Sequence, residues 1–277
     1  MTETFRLDQL TVSGASRGGV GTWFRVQPPG AAFDVGHGAP QLSGVDRVFL
    51  THGHLDHAAG VPFLLSQRTL QDLGPTEIYC PEEVRGPLES FIEAGAQLEG
   101  ARYEYRVHAL NPGDRVPVGS GMSVEAFATD HVTASLGYHL LQTVGRLRPE
   151  YSSCTAEELT RMRSEGKEIE QQEERVWLSY AGDTGAGVFS TEPRLFAARL
   201  LLIECTFLHP QWRERAAQYG HIHFDDLRAQ AKRFTNETIV LHHLSRRFAP
   251  AELRRAVESE LPRLASRIRI LGEEDES

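Results

Sequence analysis

The stretch Thr51-His52-Gly53-His54-Leu55-Asp56-His57 determines how the rest of this chain is interpreted. It ends the apolar run 46–51, which is typical of a buried strand. Imidazole nitrogens and carboxylate oxygens both bind zinc at about 2.0–2.2 Å. On one loop, His52 and His54 can turn toward one ion while Asp56 and His57 turn toward a second. The spacing therefore predicts a metal centre rather than isolated packed histidines.

Two ions need more ligands than this motif supplies, and later strand ends offer them. Asp130-His131 follows the apolar run 122–129, and Asp183 follows the run VWLSYAG. A further pair, His242-His243, ends the run that begins at Thr238. Each of these places a histidine or an aspartate where a predicted strand stops and a loop begins. Together with the upstream motif they favour one shared metal centre.

Composition excludes several classes of protein. The chain has 277 residues, of which 40% are hydrophobic and 24% charged, as in an ordinary globular protein rather than a disordered or fibrous one. It has no run of about 18 apolar residues, so a membrane-spanning helix is not expected. A formal net charge of −9 is unlike that of a protein that wraps nucleic acid nonspecifically.

The N-terminus lacks the pattern of a secretory signal, and three widely spaced cysteines form no disulfide framework, so we expect a cytoplasmic protein.

Strand-like and helix-like segments alternate in both halves of the chain, which predicts two sheets packed face to face with helices outside. Strands are predicted at 4–12 and 21–27 around a Gly-rich turn at 13–21, and at 31–35, 46–51, 76–80, 103–110, 122–129, 136–143, 176–181, 199–204 and 238–242. Helices are predicted near 57–70, 81–94, 225–235 and 250–260, with a frayed tail at 272–277. A charged segment at about 146–175 predicts an exposed helical excursion from a single domain spanning 1–277. Thr155 and Glu158 would form the capping box of its helix.

The series of motifs resembles the metallo-β-lactamase fold, over residues 5 to 245. That resemblance implies an α/β (α+β) protein with a four-layer αββα sandwich and two divalent metal ions at one edge of the sheets, zinc or manganese. By motif, His52, His54 and His131 would hold one ion, and Asp56, His57 and His243 the other, bridged by Asp183. His243 is preferred to His242 because His243-Leu244-Ser245-Arg246-Arg247-Phe248 resembles the segment H-hydrophobic-S-x-R-aromatic of that family.

Within the superfamily, the chain most resembles ribonuclease Z, which removes the 3′ trailer of precursor tRNA. The same closing segment carries this resemblance, together with Glu204-Cys205-Thr206-Phe207 and Gly220-His221. The resemblance implies that Glu204 and His221 cooperate in protonating the leaving oxygen. It also implies a homodimer.

The chain departs from the ribonuclease Z pattern at three places. Ile203 stands where that family has a histidine, and Ile222-His223 replaces Ser-Thr. The Gly-Pro-rich arm that holds the tRNA elbow is not recognisable, and the segment 146–175 occupies its position. The missing arm and the acidic charge favour a small or accessible substrate over precursor tRNA, whereas the dinuclear chemistry is less affected.

Three functional hypotheses follow from these residues. The first is a metal-dependent phosphodiesterase similar to ribonuclease Z, acting on RNA, with Asp56, Glu204 and His221 as catalytic residues. Ser245 and Arg246 would contact the substrate. For Arg246 and for Arg247, binding of a phosphate group and simple exposure to solvent are equally plausible. The second is a hydrolase of a small phosphodiester, lactone or thioester on the same fold. A noncatalytic RNA-binding protein is the third, but it predicts lost ligands, whereas every ligand position is filled.

One residue outside the ligand set completes the predicted site. Asp34 follows the run AAF and is the candidate to fix the orientation of a ligand histidine. His37 is a weaker candidate for the same role.

Overall fold

The computed structural model describes residues 2–119 and 121–273. Its strands are β1 Glu3–Leu7, β2 Leu10–Arg17, β3 Gly21–Gln27, β4 Ala31–Val35, β5 Arg47–Phe49, β6 Thr76–Pro81, β7 Tyr105–Leu110, β8 Arg115–Gly119, β9 Met122–Ala128, β10 Leu136–Leu147, β11 Glu170–Tyr180, β12 Leu200–Glu204, β13 Thr238–His242 and β14 Ile268–Ile270. Its α-helices are α1 Leu55–Ala58, α2 Val61–Leu70, α3 Glu82–Glu99, α4 Ala156–Ser164, α5 Val188–Thr191, α6 Arg213–Tyr219, α7 Phe224–Gln230 and α8 Pro250–Glu260. Within the described ranges, no helix is both long and apolar enough to cross a membrane.

The strands form two seven-stranded sheets with mirrored organisation. The first sheet has the order β1-β2-β3-β4-β5-β6-β7, and the second has the order β14-β13-β12-β11-β10-β9-β8. In each sheet, four strands pair antiparallel and the remaining strands continue parallel, from β4 in the first sheet and from β11 in the second. Side chains and loops at the carboxyl ends of neighbouring parallel strands gather at one edge, where open α/β sheets place their sites.

Three apolar layers hold the sheets and helices together. The central layer lies between the sheets and joins Phe24 and Phe33 of the first sheet to Tyr138 and Leu202 of the second. A second layer packs α2 and α3 onto the outer face of the first sheet, and a third packs α5 to α8 onto the outer face of the second. The predicted αββα sandwich is therefore confirmed. The single domain over 1–277 stays a prediction.

Several element boundaries differ from the sequence-based ones. The predicted strand 4–12 is the hairpin β1–β2, which turns at Asp8 with a positive φ of 50°. The predicted turn at 13–21 is shorter, because β2 continues to Arg17. The helix predicted at 57–70 is split at Gly60, where a Cβ would lie 2.0 Å from the backbone nitrogen of Gly38. Strand β8 was not predicted, and α7 ends at Gln230 rather than at 235.

The segment 146–175 is only partly helical. It contains α4, capped by Thr155 and Glu158 as predicted, but its two ends are strands. Residues 142–147 of β10 pair with 170–175 of β11, so the pair of strands projects beyond the sheet as an exposed hairpin. The prediction missed the strand at 170–175 because its residues, EQQEER, are all polar and show no apolar alternation. Most of the predicted frayed tail lies outside the described residues.

Candidate metal centre

The predicted ligands converge at the edge where the parallel strands of both sheets end. His52, His54, His131 and Asp183 form one group of donor atoms that lie within 4.8 Å of one another. Asp56, His57 and His243 form a second group by the same measure. We call the seven residues together the donor cluster. Asp34 lies directly behind it, whereas His37 lies at the surface.

The separations between donor atoms are those of ligands around shared ions. In the first group, Nε2 of His131 lies 3.4 Å from Nδ1 of His54. In the second group, Nε2 of His243 lies 3.4 Å from Oδ2 of Asp56. Two atoms bound tetrahedrally to one zinc ion at about 2.0–2.1 Å lie about 3.4 Å apart. The observed distances match this spacing.

Asp183 lies between the two groups. Its Oδ2 is 3.9 Å from Nε2 of His52 and 3.3 Å from Nε2 of His243, and its Oδ1 is 3.4 Å from Nε2 of His57. The side chain is 2% exposed. This carboxylate is therefore placed to contact ions on either side of it.

The first of two hydrogen-bond relays holds the histidines of the first sheet. Asp34, fully buried at the end of β4 with φ of 53°, accepts a hydrogen bond from Nδ1 of His57 at 2.8 Å and from the Tyr180 hydroxyl at 2.6 Å. The Thr51 hydroxyl also donates to Asp34, at 2.8 Å, and accepts from Nδ1 of His52 at 2.9 Å. We call Asp34, Thr51, His57 and His52 the first relay. It leaves Nε2 of both histidines facing the donor cluster.

The second relay repeats this construction in the second sheet. Glu204, fully buried at the end of β12, accepts from the backbone N–H of Thr184 and from Nδ1 of His221, each at 2.8 Å. The Thr206 hydroxyl donates to Glu204 and accepts from Nδ1 of His243 at 2.9 Å. We call Glu204, Thr206, His243 and His221 the second relay. Such partners fix the orientation and basicity of metal-bound histidines.

His131 and Asp56 are oriented by backbone groups instead. Nδ1 of His131 donates to the carbonyl oxygen of Gly220 at 2.9 Å. Asp56 accepts from the backbone N–H of Gly19 at 3.0 Å. The next residue back, Gly18, packs so closely that a Cβ would lie 2.8 Å from the carbonyl oxygen of His243. A glycine is therefore required where the N-terminal loop meets the cluster.

The buried atoms of the donor cluster fit a metal. Nε2 of His52, Nε2 of His57 and Oδ1 of Asp183 are buried and have no hydrogen-bond partner among the described residues. Leaving such atoms unpaired costs free energy unless an ion or water satisfies them. Imidazole nitrogens and carboxylate oxygens in this number and spacing are typical ligands of divalent metal ions. The residues therefore fit divalent metal ions.

The electrostatics of the donor cluster also favour a cation. Burial opposes protonation of His57, yet the carboxylates of Asp183 and Asp34 raise its pKa well above its ordinary range. Burial would raise the pKa of Asp183, but the imidazoles of His243 and His57 hold it well below that of a free carboxyl group. His52 has its pKa lowered by burial and by the neighbouring histidines, so it stays neutral, as a metal ligand must be.

His221 differs from the ligand histidines in its surroundings. Its side chain is 15% exposed and lines two pockets of about 210 and 300 Å³ that lie beside the cluster. Burial lowers its pKa, but the hydrogen-bonded carboxylate of Glu204 outweighs this and raises the pKa to about 9. His221 can therefore hold a proton at neutral pH and present it to a bound molecule.

The remaining predicted residues divide between the site and its surroundings. Ser245 lines the smaller pocket, but the arginine of the closing segment that lines it is Arg247 rather than Arg246. His242 lies outside the cluster, buried against the rings of Phe24 and Tyr180.

Sequence reasoning missed several residues of the site. These are the relay residues Thr51 and Thr206, together with Tyr180, and the pocket residues Arg215 and Tyr219. The positions of the two threonines beside ligand or catalytic residues were the only signal available.

Comparisons with known proteins show which family the chain is similar to. A model of the β-lactamase superfamily domain matches residues 20–244. The tRNase Z TRZ1 of Arabidopsis thaliana is 29% identical over 269 residues, which cover 96% of this chain and 96% of that protein. The ribonuclease Z of Halobacterium salinarum is 30% identical over 233 residues, covering 74% of this chain and 72% of that protein.

Solved structures share the same architecture. The metallo-β-lactamase fold protein YhfI from Bacillus subtilis superposes with a TM-score of 0.62 at 17% identity, over 91% of this chain and 93% of that one. The short form of human tRNase Z superposes with a TM-score of 0.59 at 20% identity, over 85% and 93%. This likeness concerns the fold.

Proposed function

The chain belongs to the β-lactamase superfamily and, within it, to the family of the ribonuclease Z enzymes, and from this membership we propose that it is a metal-dependent endoribonuclease that cleaves the 3′ trailer of precursor tRNA. The observation that carries the proposal is the second relay. It places a buried carboxylate and a partly exposed histidine, Glu204 and His221, beside the donor cluster. Such a pair suits proton donation to the alkoxide that leaves when a phosphodiester is hydrolysed.

Two divalent ions would be held by the residues of the donor cluster. His52, His54 and His131 would hold one ion, Asp56, His57 and His243 the other, and Asp183 would bridge them. We propose zinc, because histidine nitrogens dominate both groups. When bound, such a pair of ions lowers the pKa of a water molecule toward 7 and stabilises negative charge that develops on phosphorus.

The chain's own residues then bring about bond cleavage. Because Nδ1 of His221 is bound to Glu204, Nε2 is the atom that presents a proton to the leaving oxygen. Glu204 keeps the imidazole protonated and fixes its plane. Asp56, whose Oδ2 is oriented by the N–H of Gly19, would align the attacking water as it binds metal. Ser245 and Arg246 remain the proposed substrate contacts of the closing segment, with Arg247 as the arginine nearest the cluster.

A paired assay on one zinc-loaded preparation tests the proposal. Wild-type protein should cleave a 3′-extended precursor tRNA at the trailer junction and should also hydrolyse bis(p-nitrophenyl) phosphate. The variant His54→Ala should do neither. Turnover of the small diester without cleavage of tRNA would instead support a phosphodiesterase of small substrates. Inactivity on both with two metals bound would reject phosphodiester hydrolysis and favour a lactone or thioester substrate.

Three further expectations accompany this proposal. The resemblance to ribonuclease Z implies a homodimer, and three cysteines that form no disulfide framework favour a reducing cytoplasm. A single domain would span residues 1–277. All three stay predictions.

A further inference from the structure

The smaller of the two pockets beside His221 has a distinctive lining. It has a volume of about 210 Å³, and His221 and His243 form the part that adjoins the donor cluster. Gly18 and Gly19 border it on one side, and helix α6 borders it on the other through Arg215 and Tyr219. A phosphodiester bound at the donor cluster would therefore extend its neighbouring group into this pocket.

The pocket carries positive charge that no carboxylate of the described residues neutralises. The guanidinium groups of Arg215 and Arg247 lie 4.8 Å from the ring centres of Tyr219 and Trp212, and neither forms an ion pair with a described acidic residue. On the same helix, Arg213 is paired with Asp225 at 3.4 Å and with Asp226 at 3.0 Å. Arg213 is thus paired with carboxylates whereas Arg215 on the same helix is not, so the guanidinium of Arg215 can bind an anion from outside the chain.

Additional positive charge lies next to the pocket. Arg17 precedes the glycines of the pocket wall and donates a hydrogen bond to the carbonyl oxygen of Phe248 at 2.6 Å. Burial, and to a smaller extent the charge of Arg246, lower the pKa of Arg17. In a chain with a net charge of −9, such a concentration of arginines around one pocket favours an anionic ligand there.

Tyr219 adds an aromatic surface to this cationic wall. Its side chain is 41% exposed, and it lies two residues before His221. Arg215 occupies one face of the ring, and the exposure leaves ring surface available to a planar group. Phosphate bound by arginine and base stacked on an aromatic ring are the two contacts by which proteins hold single-stranded RNA.

We propose that this pocket binds the nucleotide adjacent to the cleaved bond, with Arg215 contacting its phosphate and Tyr219 stacking against its base. The inference rests on the proposed function and deepens it. Arg215 and Tyr219 are then specificity residues that favour an RNA strand over a small diester, because only the strand has a nucleotide to place there. These two residues contribute to substrate binding, whereas the donor cluster and the second relay act on the reacting atoms.

Kinetic discrimination between two substrates tests the proposal. For Arg215→Ala and for Tyr219→Ala, the ratio of kcat/KM for precursor tRNA to kcat/KM for bis(p-nitrophenyl) phosphate should fall about tenfold or more, as expected for a stacked base or a phosphate contact. Tyr219→Phe retains the ring and should keep the wild-type ratio. Arg263→Ala, an exposed arginine on the turn after α8, is the matched control and should also keep it. An unchanged ratio in both alanine variants would overturn the proposal.

A binding measurement separates this inference from the proposed function. Anisotropy of a fluorescein-labelled single-stranded RNA with hydrolysis-resistant phosphorothioate linkages is measured on zinc-loaded protein, so that binding is observed without cleavage. Arg215→Ala should weaken binding and reduce the slope of log Kd against log salt concentration by about 0.7, the value for one lost phosphate contact on a single strand. The same slope in wild type and variant would reject the pocket as a phosphate subsite, even if the enzyme cleaves tRNA. A reduced slope would support the pocket even if no cleavage is found.

Discussion

The two relays share one construction and differ in what their histidines can reach. In each, a buried carboxylate at the end of a parallel strand holds one histidine directly and a second histidine through a threonine hydroxyl. Both histidines of the first relay are fully buried. In the second relay, His243 is buried and lines only the smaller pocket, whereas His221 lines both pockets. Within the relays, imidazoles held in the same way therefore differ in how far they open onto the pockets, and His221, with a side chain 15% exposed, is the one placed to reach a bound molecule.

Of the substitutions that distinguish the two relays, replacement of His221 is expected to have the largest effect on catalysis. In His221→Asn the proton donor is lost, so kcat should fall about 10²- to 10⁴-fold. The zinc content, measured by elemental analysis of the purified protein, should stay at two ions per chain. His54→Ala, measured alongside, should lose metal as well as activity. If His221→Asn also lost an ion, His221 would be a ligand and the contrast between the relays would disappear.

Replacement of the carboxylate in the first relay should act on the metal instead. Asp34→Asn leaves an amide where Nδ1 of His57 and the Tyr180 hydroxyl both donate, so the imidazole loses its acceptor. We expect the affinity for zinc to fall about 10- to 100-fold. Competition with a chelating dye measures this affinity. At saturating zinc, kcat should recover most of its wild-type value, and a persistent loss comparable to that of His221→Asn would contradict the assignment.

The threonines of the two relays should give smaller and similar effects. Thr51→Val and Thr206→Val each remove the hydroxyl between a carboxylate and a ligand histidine. Loss of one such hydrogen bond costs about 0.5–1.5 kcal/mol, which corresponds to at most about a tenfold loss of zinc affinity. The same dye competition applies to both variants. A large difference between them would show that the relays are not equivalent in holding their ligands.

The exposed hairpin formed by β10 and β11 should give the smallest effect. Its ion pair between Arg146 and Glu173 spans 2.9 Å, with side chains 63% and 34% exposed, so solvent screens it. Arg146→Ala should change the free energy of unfolding in urea by less than about 1 kcal/mol and leave hydrolysis of bis(p-nitrophenyl) phosphate unaltered. A larger loss of stability would mean that the hairpin supports the core.

The sequence predicted the layers of the sandwich and the grouping of the candidate ligands better than the hydrogen bonds that hold those ligands. The spacing of the motif at 51–57 and the polar residues after later strands point to one edge of a sandwich, because strand ends gather there. Asp34 was also identified from its place after a buried run. Thr51, Thr206 and Tyr180 were not, since threonines and tyrosines are common and their partners become neighbours only after folding. Arg215 was missed because nothing in the sequence separates it from Arg213, which is paired with aspartates.

The position of the donor cluster on the seam between the sheets has a consequence for protein synthesis. Its first member along the chain is His52 and its last is His243, so synthesis must pass residue 243 before the set is complete. A nascent chain that ends between residues 183 and 243 carries the whole of the first group of donors but only Asp56 and His57 of the second. Because a metal bound only by the folded state adds its binding free energy to folding, an ion held by the second group would stabilise only chains that include His243. Uptake of such an ion would thereby distinguish chains that have passed His243 from shorter ones.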